Sequence, residues 1–210
     1  MQWRETGVTM SPAEPQNARG RRTRAALLRA ISEIVESQGF GALTMNAVAD
    51  KAGVSRRAVY LHFRSRAELI PALHFYVVEE LGLTESIARV WEHDTPEAVL
   101  DEWAAHLVRV NLRAIGVDRA VRYTRHTDPD VEAYRRGVAE RQRRYCRMVI
   151  ERVEDAGRLA PQWTVEDAVD MLWSLISTDM LEALADECGW ETVKLAQRLG
   201  LLLRRTFLAD

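Results

Sequence analysis

The stretch TMNAVADKAGVSRRAVYLHF, residues 44 to 63, restricts the fold of this chain more than any other. Two apolar stripes of helical spacing stand on either side of Gly53, Val54 and Ser55: Met45, Val48, Ala49 and Ala52 before, Ala58, Val59 and Phe63 after. Thr44 and Ser55 each precede a stripe, where a side-chain oxygen can accept from first-turn N–H groups. Gly53 follows the first stripe, where a chain leaves a helix most easily through a positive φ. Small side chains at Ala49, Ala52 and Ala58 let two helices cross closely, with Val54 as the plug of the corner. Local chemistry predicts a helix-turn-helix. A helix from Arg21 should precede it, with Leu27, Ala30, Ile31, Ile34 and Val35 inward and a stop at Gly39.

Downstream the pattern is helical throughout, without strand alternation. RSRAELIPALHFYVVEELGL starts a helix near Ser65 that carries Pro71 in its interior. Thr95 and Pro96 open another, bearing Leu100, Trp103, Leu107, Val110 and Ala114, and a shorter helix is expected over 118 to 126. Asp128 and Pro129 open a long helix that runs to Gly157. The expectation is an all-α protein of about nine helices. Residues 1–20 form a flexible basic-ended arm, 21–66 a three-helix DNA-binding domain with the helix-turn-helix, and 67–210 a larger helical ligand-binding and dimerisation domain.

The last two helical segments differ from the rest. In TVEDAVDMLWSLISTDMLEALADE and ETVKLAQRLGLLLRRTFL, apolar residues cover most of the circumference, so each needs burial on two sides. One side can pack on the chain itself and the other on a second copy. A homodimer joined as a four-helix bundle is expected, with Leu172, Ile176, Leu195, Leu199, Leu202 and Leu203 at the interface.

Charge divides the chain in the same way. The first 66 residues hold 11 Lys and Arg against 5 Asp and Glu, and the remaining 144 hold 18 against 26. A basic front end suits a polyanion that the acidic remainder avoids. No run approaches the ~18 to 20 apolar residues that cross a bilayer, and the first residues lack a signal peptide's apolar block, so a cytoplasmic protein without membrane contact is expected. Cys146 and Cys188 belong to no ligand set and read as idle thiols. No Gly-rich phosphate loop, HExxH or GxSxG occurs, so an enzyme, a cofactor and a metal site are not expected.

The order Gly39-Phe40, Thr44, Ala52-Gly53-Val54-Ser55, Tyr60, His62-Phe63 and Glu68-Leu69 resembles the front end of the TetR family of bacterial transcriptional regulators. It departs at Ala47, where the family usually carries an acidic residue, and at Arg66, where it usually carries Lys. The third helix, with Arg56, Arg57, Tyr60 and Leu61 outward, fits a DNA major groove, and Arg56 and Arg57 are the candidates for guanine edges. The resemblance implies that Thr44, Tyr60, His62 and Arg66 hold phosphates, with Ser55 on the same surface and Arg19, Arg21 and Arg22 reaching backbone or minor groove. It also implies a repressor of an inverted-repeat operator, released by a small molecule.

For that effector the inward aromatic and polar residues are the candidates: Trp103, His106, Asn111, Tyr123, His126, Trp173, Ser177 and Met180, beside Ile176. Such a set suits a hydrophobic or aromatic ligand. The rival reading is a helical DNA-binding regulator without a small-molecule ligand, controlled by a protein partner or by abundance.

Overall fold

A computed structural model describes residues 18–80 and 82–209. The described residues form ten α-helices and no sheet; one isolated bridge pairs Leu159 with Leu208. Helices α1 (Ala18–Gln38), α2 (Met45–Ala52), α3 (Arg56–His62) and the start of α4 (Arg66–Glu80) make the N-terminal unit. Helices α5 (Leu83–Val90), α6 (Pro96–Thr124), α7 (Pro129–Asp155), α8 (Val165–Leu175), α9 (Thr178–Glu182) and α10 (Thr192–Phe207) make the larger one. No described helix is long and apolar enough to cross a membrane. Residues 1–17 of the expected arm lie outside the described residues. Helix α1 begins at Ala18 rather than Arg21, so Arg19, Arg21 and Arg22 stand on a helix.

Two apolar clusters hold the chain together. The first joins Leu27, Ile31, Phe40, Leu43, Val48, Val59, Phe63, Leu69 and Leu73 of the N-terminal unit to Val117, Ala120 and Val121 of α6 and Val131 of α7. The second packs α5, α6, α7, α8 and α10 around Leu100, Trp103, Val149, Ile150, Leu172, Leu199 and Phe207. Helix α6 therefore runs from one cluster into the other, and the α6–α7 corner sits against the helix-turn-helix unit.

Four features differ from the sequence expectation. Helix α6 is one helix of 29 residues, not two. Its Gly116 does not break it, because the glycine serves a close approach: a Cβ there would lie 3.1 Å from Glu36 Cγ of α1. The segment after Ser65 ends at Glu80, and Gly82, with φ of 59°, caps the start of the separate α5. The expected helix over 164–187 is broken at Ile176, followed by α9 and a π-helical turn over Ala183–Glu187. Asn111 Nδ2 donates to the Ile176 carbonyl at 3.4 Å, which satisfies a buried acceptor that the break would otherwise orphan.

The fourth difference concerns the interface residues. Leu172, Ile176, Leu195, Leu199 and Leu203, expected at the interface, are all buried within the single chain. All five belong to the second cluster, where α10 packs against α6 and α8 against α7. Of the six expected residues only Leu202 is exposed, on the outer side of α10 that also carries the exposed Leu201.

The α6–α10 crossing is close. A Cβ on Gly200 would overlap the Asp101 carboxylate and lie 3.4 Å from its Cα. Arg204 pairs with the same carboxylate one turn on. Gly200→Leu should therefore push the helices apart, at a cost of about 1 to 3 kcal/mol and roughly 3 to 10 °C in Tm, read by calorimetry. An unchanged Tm would mean that the crossing has slack.

Candidate nucleic-acid interface and the helical interior behind it

The corner forms as its residues dictate. Thr44 Oγ1 accepts from the Ala47 N–H at 3.1 Å and Ser55 Oγ from the Ala58 N–H at 3.2 Å, one cap for each helix. Gly53 has φ of 66° and ψ of 32°, and the Val54 N–H reaches back to the Ala49 carbonyl at 3.0 Å. Val59 and Phe63 are buried and turn the opposite face of α3 to solvent. That face carries Arg56, Arg57, Tyr60 and Leu61, the last 78% exposed. An exposed leucine beside two arginines and a tyrosine makes a surface that is cationic and partly apolar.

The two arginines differ. Arg56 lies over the Tyr60 ring at 5.5 Å and donates to its hydroxyl at 3.3 Å, so it is held along the helix. Arg57 is exposed and makes no ion pair or hydrogen bond among the described residues. Thr44 and Ser55 use oxygen lone pairs for capping, which leaves both hydroxyl protons free to donate outward. Burial, and after it the Arg24 guanidinium, holds the His62 pKa below its ordinary value, so at neutral pH the ring is an uncharged donor. Arg19, Arg21 and Arg22 are exposed on α1.

Arg66 does not take the place expected of it. Its guanidinium is turned away from the α3 surface: Nε donates to the Leu43 carbonyl at 3.0 Å and Nη2 to the Phe40 carbonyl at 2.9 Å. Nη2 also meets Asp128 Oδ2 at 2.7 Å. The Leu43 carbonyl, the Phe40 carbonyl that also accepts from the Leu43 N–H at 3.1 Å, and a carboxylate beyond them outcompete solvent for the fork.

The eight expected effector residues divide. Trp103, His106 and Asn111 are buried on the inner side of α6. Trp173 and Met180 are half-buried, whereas Tyr123 in the last turn of α6, His126 just beyond it and Ser177 before α9 are exposed. Tyr123 edges an open cleft of about 490 Å³ whose other walls, Ala183 apart, are charged. There Arg119 pairs with Glu182, and Arg122 with Glu182 and Asp179, so the cleft is neither enclosed nor apolar.

Inside, sequence reasoning missed the partners of His106. The ring stacks on Trp103, 5.3 Å between centroids, and Nδ1 lies 2.9 Å from Ser86 Oγ of α5. Arg109 Nε donates to the same hydroxyl at 3.1 Å, and Arg109 Nη2 to Glu102 at 2.5 Å. Ser86 therefore has its own proton to give to Nδ1, which suits a neutral imidazole. Burial first and the Arg109 charge second push the His106 pKa down to about 4. The signal was present as a polar row of Glu102, His106 and Arg109 spaced by four and three along one face of α6. Beside it, the buried Trp103 Nε1–H has no acceptor among the described residues.

Residues 27–73 match the family model of bacterial regulatory proteins, tetR family. No curated protein matches the chain. Among solved structures, it is similar to NalD, the secondary repressor of the MexAB-OprM multidrug efflux pump in Pseudomonas aeruginosa, at 22% identity and a TM-score of 0.69, covering 92% of this chain and 100% of that one. A candidate transcriptional regulator from Saccharomonospora viridis in complex with choline is similar at 17% identity and a TM-score of 0.69, over 90% and 99% of the two chains. SmeT in its complex with triclosan is similar at 17% identity and a TM-score of 0.67, over 90% and 93%. The sequence match places the helix-turn-helix of residues 27–73 with that of the tetR family of bacterial regulatory proteins, and the fold is shared with these neighbours over nearly the whole length.

Proposed function

We propose that this protein is a homodimeric transcriptional repressor that binds an inverted-repeat operator through α3 and leaves it when a small hydrophobic or aromatic molecule binds among the helices of its larger unit. The observation that carries the reading is the outward face of α3, with Arg57 unengaged among the described residues on a corner capped at Thr44 and Ser55. In a major groove, such an arginine can pair with guanine O6 and N7, while the Thr44, Tyr60 and His62 donors meet the flanking phosphates. Arg56, braced on Tyr60, serves the backbone better than a base edge. Symmetry-related α3 helices about 34 to 36 Å apart would read two half-sites.

Two things support the effector. The Trp103 N–H, buried beside His106, is a donor without an acceptor among the described residues, which a ligand carbonyl or hydroxyl could satisfy. The choline and triclosan complexes of two structural neighbours support small-molecule binding by proteins of this fold.

The test is selection from a random duplex library, followed by fluorescence anisotropy at two or more salt concentrations. An inverted repeat should emerge, with affinity falling steeply with salt. Arg57→Ala should lose about 1 to 3 kcal/mol of discrimination at one base position, whereas Thr44→Ala should weaken selected and scrambled duplexes alike. Enrichment of no sequence would overturn the reading. Equal effects of the two variants would overturn the division between base and phosphate contacts.

A further inference from the structure

The guanidinium of Arg66 joins three pieces of chain that are distant in sequence. It is the first residue of α4, it holds the carbonyls of Phe40 and Leu43, and it grips Asp128 at the α6–α7 corner. Leu43 directly precedes Thr44, the cap of α2. Asp128 is divided in the same way: Oδ1 accepts from the Asp130 and Val131 N–H groups at 3.1 and 3.4 Å and caps α7, while Oδ2 accepts from Arg66 at 2.7 Å. Asp130 Oδ2 stands 3.8 Å from Nη1 as a weaker second contact.

The rest of this interface is apolar, with Val117, Ala120, Val121 and Val131 against the N-terminal cluster, and apolar contacts tolerate sliding. A charge-assisted pair fixed at both ends does not. Displacement of the first turn of α7 must therefore break the pair or carry the 40–43 turn and the start of α4 with it. We propose that Arg66 and Asp128 form the joint through which the α6–α7 corner and the DNA-reading unit sense one another. The inference rests on the DNA-binding reading and adds its internal linkage, which is reciprocal: DNA must tighten the joint by the same factor by which a change at the joint alters DNA affinity.

The experiment is amide hydrogen exchange with and without the duplex selected by the protein, on wild type, Asp128→Asn and Asp130→Asn. Asparagine keeps the capping oxygen but gives up the charge that holds Arg66. In wild type, saturating duplex should slow exchange at residues 130–132 by at least about fivefold, the lower end of ordinary coupling factors. In Asp128→Asn the duplex should still bind and the slowing should fall to less than half. Asp130→Asn, which removes the same charge, should keep it. No slowing in wild type, undiminished slowing in Asp128→Asn, or equal loss in both variants would each overturn the proposal. A protein that binds no duplex would overturn the DNA-binding reading and the joint with it.

Discussion

Glutamate at both Val193 and Leu202 is expected to leave the chain folded, convert it to a monomer and abolish tight operator binding. The two residues are 67% and 43% exposed and stand on either flank of the exposed Leu201 on the outer side of α10, which nothing among the described residues covers. Removing them from solvent is the business of a second copy in the proposed dimer, and a two-fold axis places each substitution in the interface twice. At about 1 to 3 kcal/mol for each buried, unpaired carboxylate, four copies raise the dissociation constant by roughly a thousandfold or more. Sedimentation at micromolar concentration should show one chain per particle, with the melting temperature of the remaining fold little changed. A monomer offers one α3 to one half-site, so affinity for the full operator should fall to that of an isolated half. The contrast is Leu199→Glu, at a position only 4% exposed, which should unfold the second cluster rather than separate the protomers. A stable dimer of the Val193→Glu, Leu202→Glu protein would move the interface off this face.

The same helices show what a sequence can and cannot disclose. That α8 and α10 are apolar on two sides is legible from residue spacing; which side faces the chain and which faces out is not. That choice depends on where α6 lies, so Leu199 and Leu203 went inward and Leu202, about 100° round the helix from Leu203, went outward. The helix-turn-helix was legible nearly residue by residue because its determinants are local: the Thr44 and Ser55 caps and the positive φ of Gly53 act within four residues of chain. The partners of Arg66 were not legible for the converse reason. Its carboxylate partner is 62 residues away, and without Asp128 an arginine beside a recognition helix reads as a phosphate ligand. The break at Ile176 had no Pro or Gly to announce it, since its carbonyl is satisfied by Asn111 from 65 residues earlier. The expected effector set dispersed because its members were assigned to helices whose ends were misjudged. Continuous α6 carries Tyr123 to the surface, 81% exposed, and leaves Trp103 and His106 inside.

His106 should make the protein unusually sensitive to mild acid. Its pKa lies near 4 in the folded chain, against an ordinary 6.5, so between these values the unfolded chain takes up a proton that the folded chain refuses. Stability therefore rises with pH through that window and is lost as pH falls from 6.5 towards 4, at up to about 1.4 kcal/mol per pH unit and about 3 kcal/mol in all. The cause is physical confinement: Trp103 covers one face of the ring, Ser86 takes Nδ1, and the Arg109 guanidinium, itself pinned to Glu102, stands beside any imidazolium that forms. His106→Gln keeps a polar side chain near Ser86 and cannot titrate. It should cost some stability at pH 7.5 and flatten the loss between pH 6.5 and 4.5. Urea midpoints of both proteins across that range provide the measurement, and their difference cancels groups the two share. Those include Asp118, whose carboxyl burial pushes up and which acts in the opposite direction above 3.8. They also include Asp128, where burial pushes up but the hydrogen bonds from Arg66 and Val131 prevail, so that its contribution is lost below the ordinary carboxylate range. Parallel midpoints for wild type and His106→Gln from pH 7.5 to 4.5 would mean that the imidazole reaches solvent, and that the Trp103 face beside it is open as well.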